Sequence, residues 1–362
     1  MHVRGVRWWL PLIVAMLLTL TISPVWADSP EDEEKTFDEV VNTQPQAPLP
    51  AIQGLANRVY LNNIKHDWQT WNNCGPTTTS MALSYYGVRI PQLTAASALK
   101  PNPKDVNVGP EQIAAYVRSQ GLDAQVRVNG NRDVLMALLN AGIPVIAEQW
   151  INDYGGMGHY RLATGYDLSK GTITFDDSFY GPDRVWSMDE FEGRWSEFDT
   201  SRIYIPVYRR DQAALVNSIL GPDADDATMW VRAEAGARAN LEAFSDEGRV
   251  WYALGEALLH QGRFAEAVNA FERGYAVGLP WRYYWYQFGH FEALAKAGRW
   301  QRLLELTEPV LETAPMHEEM YYYRGLALQN LGDTAGAREA YNAALANNGN
   351  MARARAALQA LR

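Results

Sequence analysis

Apolar positions change their period along the chain, and the changes divide it into regions. Met81, Ala82, Tyr85 and Tyr86 recur at helical spacing, and Ile113, Tyr116 and Val117 do so again before Gly121. Ala124, Val126 and Val128 alternate as a strand that ends at the turn pair Asn129-Gly130. Val134, Leu135, Leu138 and Leu139 predict a third helix, closed by Gly142. Strands are expected at 143–150, 158–166, 172–176 and 203–208. Helices followed by a cluster of strands describe an α+β layout. From about Ala227 the period is helical throughout, and it repeats. Trp251, Leu254, Gly255, Leu258, Gly262, Ala267 and Phe271 find counterparts in Tyr321, Gly325, Leu328, Gly332, Ala337 and Tyr341, two periods of about 34 residues later. A degenerate middle copy runs from Arg282 to Pro315, with Gly298 and Trp300 aligned to Gly262 and Phe264. The small residues let paired helices approach, and the aromatics fill the space between them.

The N-terminal stretch has another character. Arg4 and Arg7 precede an apolar run from Trp8 to Ile22, which ends in Val25-Trp26-Ala27. That is the layout of a secretory signal peptide. The run is short for a membrane span of about 20 residues. Export with cleavage is the expectation, which places the protein at the cell surface, in the periplasm or outside the cell; left uncleaved, the leader anchors the chain in a membrane. A carboxylate-rich segment from Asp28 and the proline-rich Gln44–Pro50 then read as an extended tether. The expected organisation is a leader at 1–27, an acidic and proline-rich linker at 28–55, a mixed domain at 56–210 and a helical-repeat domain at 225–362.

Composition narrows the function classes. The net charge of −10 and the absence of any lysine or arginine block argue against nucleic-acid binding. The chain has one cysteine, so no internal disulfide can form. Exported chains usually use cysteines in pairs, and an odd thiol there calls for a role. There is no His-Glu-x-x-His, no cysteine cluster and no phosphate-cradling glycine loop, so neither a metal nor a nucleotide cofactor is expected.

The single thiol, Cys74, stands in Asn73-Cys74-Gly75-Pro76 at the start of the first predicted helix. Unpaired backbone N–H groups and the positive end of the helix dipole favour a thiolate there. His159 lies in Gly158-His159-Tyr160 at the start of a strand, and only it and His66 are histidines in the mixed domain. Asp176 and Asp177 end the next strand, where one carboxylate can accept the second imidazole N–H and fix its tautomer. The other caps the turn.

Gln69 to Gly75, Gly158-His159-Tyr160 with Thr164-Gly165-Tyr166-Asp167, and Asp177-Ser178-Phe179-Tyr180-Gly181-Pro182 together resemble the peptidase C39-like group of papain-like cysteine peptidases. The later periods resemble tetratricopeptide repeats (TPRs), which bind peptides or proteins on a concave face. The fold implied is an α+β papain-like cysteine-peptidase domain plus an all-α TPR domain. The resemblance implies Cys74 as nucleophile, His159 as general base and acid, and Gln69 as donor to the oxyanion together with backbone N–H. The family usually has Asp-Pro where this chain has Asp177-Ser178; Asp177 is then the orienting acid, with Asp176 in reserve. The implied chemistry is acyl transfer from a peptide or protein substrate through a thioester, with the repeats holding a protein partner or substrate. Two other readings share the fold: a catalytically silent peptide-binding scaffold, and a thiol acyltransferase or amidase acting on cell-wall peptides.

Overall fold

The computed structural model describes residues 54–151 and 156–361, all within one compact unit. The expected leader lies outside the described residues, and so does the expected linker except its last two positions.

The mixed region is built on seven strands: β1 (Arg58–Tyr60), β2 (Asp123–Ala124), β3 (Val145–Ile151), β4 (Met157–Asp167), β5 (Thr172–Asp177), β6 (Gly181–Ser187) and β7 (Tyr204–Tyr208). They form one antiparallel sheet in the order β2-β7-β3-β4-β5-β6, with β1 paired to β4. Helices α1 (Cys74–Tyr85), α2 (Gln92–Leu99) and α3 (Pro110–Ser119) cover one face, where Met81, Ile113 and Val117 meet Ile146, Leu162 and Ile205. Helices α4 (Arg132–Asn140) and α5 (Met188–Phe198) cover the other, where Leu135, Leu138, Phe191 and Trp195 meet Val145, Ala163 and Phe175. With both faces covered, every residue of β3 is buried, which is why its sequence is a continuous run rather than an alternation. Helix α6 (Ala213–Leu220) lies beyond the expected boundary at 210, yet Val216 and Leu220 join this same core.

The strand expected over Ala124–Val128 is cut to two residues, with a lone bridge from Arg127 to Tyr204 farther along in the same register. Continuing that register puts Gln125 opposite Pro206 of β7, and a proline has no N–H to offer the ladder. Strand β6 has no counterpart among the expected strands. It is the sheet's edge, exposed over Pro182–Val185, so no apolar alternation marks it.

The helical region comprises α7 (Asp226–Ala243), α8 (Gly248–His260), α9 (Phe264–Val277), α10 (Gly289–Lys296), α11 (Trp300–Thr313), α12 (Glu318–Asn330), α13 (Thr334–Asn347) and α14 (Ala352–Ala360). The small-against-aromatic pattern has a direct cause. A Cβ on Gly255 would stand 2.6 Å from the Phe271 ring, and one on Gly325 would stand 2.6 Å from Tyr341. The degenerate middle copy is where the two regions join. Its first helix, α10, is short, and the residues before it form a 3-10 turn at Tyr283–Trp285. That irregularity carries Tyr286 against Trp150 and Phe198 of the mixed region, with ring centroids 5.8 Å from each. A second contact packs Met229 of α7 beside Val128. Among the described residues no helix is long and apolar enough to cross a membrane.

Candidate active site

The loop before α1 is held from two sides. Buried Gln92, the first residue of α2, accepts at Oε1 from Thr70 N and Asn73 Nδ2, both at 2.9 Å. Its amide nitrogen donates to Asp67 Oδ2 and Trp68 O, both at 2.8 Å. The ammonium of buried Lys100 donates to Asn72 O at 2.7 Å and Asp105 O at 2.6 Å. Asn72 turns the chain at φ 53°, in the left-handed region that asparagine tolerates better than most residues. The chain then enters α1 with half-buried Cys74 at its first position.

Helix α1 runs through Thr77-Thr78-Thr79, an unusual choice for a buried helix. Thr77 and Thr79 donate back to Asn73 O and Gly75 O, each at 2.7 Å, so their hydroxyls are satisfied within the helix. Thr78 donates across to Tyr160 O at 3.1 Å. That bond ties the second turn of α1 to β4 one residue from His159. Cys74 and His159, distant in the chain, lie close enough here that each shifts the other's titration.

The imidazole is buried, 2% exposed, and its Nε2 lies 2.9 Å from Asp177 Oδ1. The Nδ1 side is thereby left for the thiol. Asp177 also accepts from the backbone N–H of Phe179 and Tyr180 at 2.7 and 3.0 Å and from Arg161 Nε at 2.8 Å. Burial would push its carboxyl up, but the charge and hydrogen bond of His159, then Arg161, hold it well below the usual carboxylate range. Burial likewise opposes charge on His159, and Asp177 reverses the balance so that its pKa is raised. Burial disfavours the Cys74 thiolate, and the hydrogen bond and charge of His159 outweigh it, so the thiol is lowered. The two shifts point toward a thiolate–imidazolium pair.

Asp176 does not reach this cluster. Neighbouring residues of a strand face opposite ways, and Asp176 Oδ1 accepts from Asp183 N at 2.9 Å on the far side of β5. Gln69 is placed beside the loop that follows Asp177. Its N–H donates to Ser178 O at 2.9 Å, and its Oε1 accepts from Ser178 Oγ at 2.8 Å. The carbonyl end of the side chain is thus fixed, which leaves the amide nitrogen as the end that can donate. Ser178, the departure from Asp-Pro, is the residue that makes this bond.

Several site residues escaped the sequence. Gln92 and Lys100 are buried polar groups with no motif around them, and Arg161, next to the His159 motif, carries no signal of its own. Glu148, whose carboxyl burial pushes well above its usual range, lies near enough to Cys74 to feel its charge. Tyr286 comes from the repeats. A Cβ on Gly158 would stand 3.0 Å from both Phe198 and Tyr286, so the glycine before His159 is required by this close approach. The repeat region therefore forms one wall of the site. Among the described residues, no group of three His, Cys, Asp or Glu side chains is placed to hold a metal ion.

Residues 57–203 match the family model described as Peptidase_C39 like family, and residues 248–277 and 318–351 match tetratricopeptide-repeat models. The protein thus carries a peptidase C39-like domain followed by tetratricopeptide repeats. Similar solved structures include a double glycine motif protease from an AMS/PCAT transporter in complex with the leader peptide, at 16% identity and TM-score 0.32 over 42% of this chain and 94% of that one. The peptidase domain of Streptococcus ComA, a bi-functional ABC transporter, is 13% identical with TM-score 0.35 over 41% of this chain and 100% of that one. MamA from Desulfovibrio magneticus RS-1 is 19% identical with TM-score 0.35 over 42% of this chain and 84% of that one. No curated protein matches the chain.

Proposed function

We propose that the protein is an exported, thiol-dependent peptidase whose repeats hold a protein substrate or partner. The observation that carries this reading is the contact chain Cys74–His159–Asp177, with the thiol lowered and the imidazole raised. In this mechanism the Cys74 thiolate attacks a peptide carbonyl. The tetrahedral oxyanion is held by the Gln69 amide and the Cys74 backbone N–H at the start of α1. His159 donates its proton to the leaving amine, and the thioester remains on Cys74. Water then attacks, giving its proton back to His159 and releasing the acid. Export rests on the leader residues Arg4, Arg7 and Trp8–Ile22. The proposed functional units are the linker at 28–55, the peptidase-like domain at 56–210 and the repeats at 225–362.

Alkylation of Cys74 by iodoacetamide across pH tests the site directly. Rapid labelling is expected well below the ordinary thiol value of about 8.5, and His159→Ala should return the profile toward that value. A profile that follows a free thiol in both proteins would refute the reading. Turnover is tested separately with a peptide library and an added amine acceptor. Hydrolysis products identify a peptidase. Faster incorporation of the amine than of water identifies an acyltransferase, and binding without either product identifies a scaffold.

A further inference from the structure

Helix α12 begins with Glu318 and Glu319 and faces α2 and α3 across a cavity of about 510 Å³. Leu99, Tyr116, Phe288 and Met351 supply apolar wall, and the two glutamates line the same space. The volume lies in the range of ordinary ligand sites. The acidic residues are buried, 1% exposed for Glu318 and 6% for Glu319. Asn348 Nδ2 donates to Glu318 Oε1 at 2.8 Å, yet Oε2 of Glu318 and Oε2 of Glu319 have no hydrogen-bond donor.

The surrounding cations do not fill that deficit. Lys100 is buried nearby, but its bonds go to the backbone carbonyls of Asn72 and Asp105. Arg353 lines the same cavity and its charge acts on Glu319, but its guanidinium lies over the rings of Tyr322 and Tyr323 and donates to neither open oxygen. His317 Nδ1 is 3.6 Å from Glu319 Oε2, beyond a hydrogen bond. Burial first, and then the nearby charges of both glutamates, push a third buried carboxyl, Asp105, well above its usual range. A helix N-terminus favours negative charge, but it supplies no donor to these two oxygens. Native interiors rarely leave such acceptors open.

The ligand that completes the site must bring a positive charge, several N–H donors and a slender apolar stem. We infer that this cavity binds a protonated primary amine on an alkyl stem, as a lysine side chain or a free diamine provides. Burial and Glu319 raise the Glu318 carboxyl to about 7, so an arriving ammonium draws it into its charged form near neutral pH. The site is separate from Cys74 and does not depend on turnover.

Calorimetric titration of the full chain with Nα-acetyl-lysine methylamide, its norleucine counterpart and cadaverine tests the inference. The lysine compound should bind about tenfold or more tightly than the norleucine compound, the scale of one charge-assisted hydrogen bond. Glu318→Gln should remove most of that difference, and Cys74→Ser should leave it intact. Ala115→Phe, at an exposed position on the cavity wall, should weaken binding with unchanged thermal melting, which covers the case of a Glu318 variant that misfolds. Equal binding of cadaverine assigns the site to free amines, and binding of the peptide-linked lysine alone assigns it to a partner chain. Equal affinity for the norleucine compound, indifference to Glu318→Gln in a folded variant, or no binding of either amine would overturn the inference.

Discussion

The peptidase-like domain and the repeat array solve the same packing problem by opposite means. In the array, an aromatic of one helix fills the space left by a glycine of its own repeat, Phe271 against Gly255 and Tyr341 against Gly325. Contacts are local, so one period of sequence carries the design. In the domain, nothing local places a thiol beside an imidazole. Cys74 and His159 meet because Thr78 bonds α1 to β4, and Gln92 and Lys100 fix the turn that precedes the sulfur. The comparison teaches that the array is tolerant wherever its local pairs are kept, whereas the geometry of the domain's site depends on distant residues that no repeat echoes. The two regimes touch at Tyr286, in the one repeat whose first helix is irregular.

The sharpest break in that comparison is Cys74→Ser. It should lower peptide kcat by about 10⁴-fold or more, the scale of losing a nucleophile, while circular dichroism of the array stays the same. Unchanged hydrolysis would remove the domain's claim to chemistry. Next comes the carboxylate pair. Asp177→Asn should reduce kcat by about 10²–10⁴ and move the alkylation profile of Cys74 to higher pH, because His159 loses what raises it. Asp176→Asn should leave that profile in place, since its carboxylate bonds on the other side of β5. Equal effects of the two would contradict the assignment.

A third comparison concerns pH and stability. Asp177 is depressed, so its contribution is present above the unfolded carboxyl value of about 3.9 and is lost as pH falls toward its folded value. Near the junction the sign reverses. Burial raises Asp199 to about 6 and Glu256 to about 8. Their stabilising contribution is full below about 4 and declines as pH climbs through those folded values. Thermal melting should therefore drop between about pH 4 and pH 8, and Glu256→Gln should flatten the upper part of that decline. A melting temperature that rises over this window would mean that the buried carboxyls are already ionised.

Within the array, Gly325→Val drives side-chain atoms into the Tyr341 ring and should cost about 1–3 kcal/mol in urea unfolding. Cys74 alkylation should not change; a shifted labelling profile would show that the regions are more tightly linked than the local contacts imply. The smallest effect is expected at Ser178→Ala. Losing the bond to Gln69 Oε1 should lower kcat about three- to tenfold with little change in KM. A pure KM effect would place Gln69 in substrate binding instead.

The repeat period, the helix that begins at Cys74 and the strand that carries His159 were legible in the sequence because each is a local pattern of apolar spacing, glycine and turn residues. The strand expected over Ala124–Val128 is shorter in the fold, because Pro206 across the sheet breaks its ladder and a proline far along the chain leaves no trace in the local alternation. Edge strand β6 was missed for a related reason, being exposed and therefore not alternating. The sequence by itself determined the two architectures and the set of side chains able to do thiol chemistry. Only the tertiary structure decided which of two adjacent carboxylates meets His159, since strand alternation sends neighbours to opposite faces and the sheet's pairing chooses the face. It also decided that Ser178 orients Gln69, that a repeat tyrosine walls the site, and that two glutamates line a cavity with open acceptors. Those facts are distances between remote residues, and sequence spacing does not encode them.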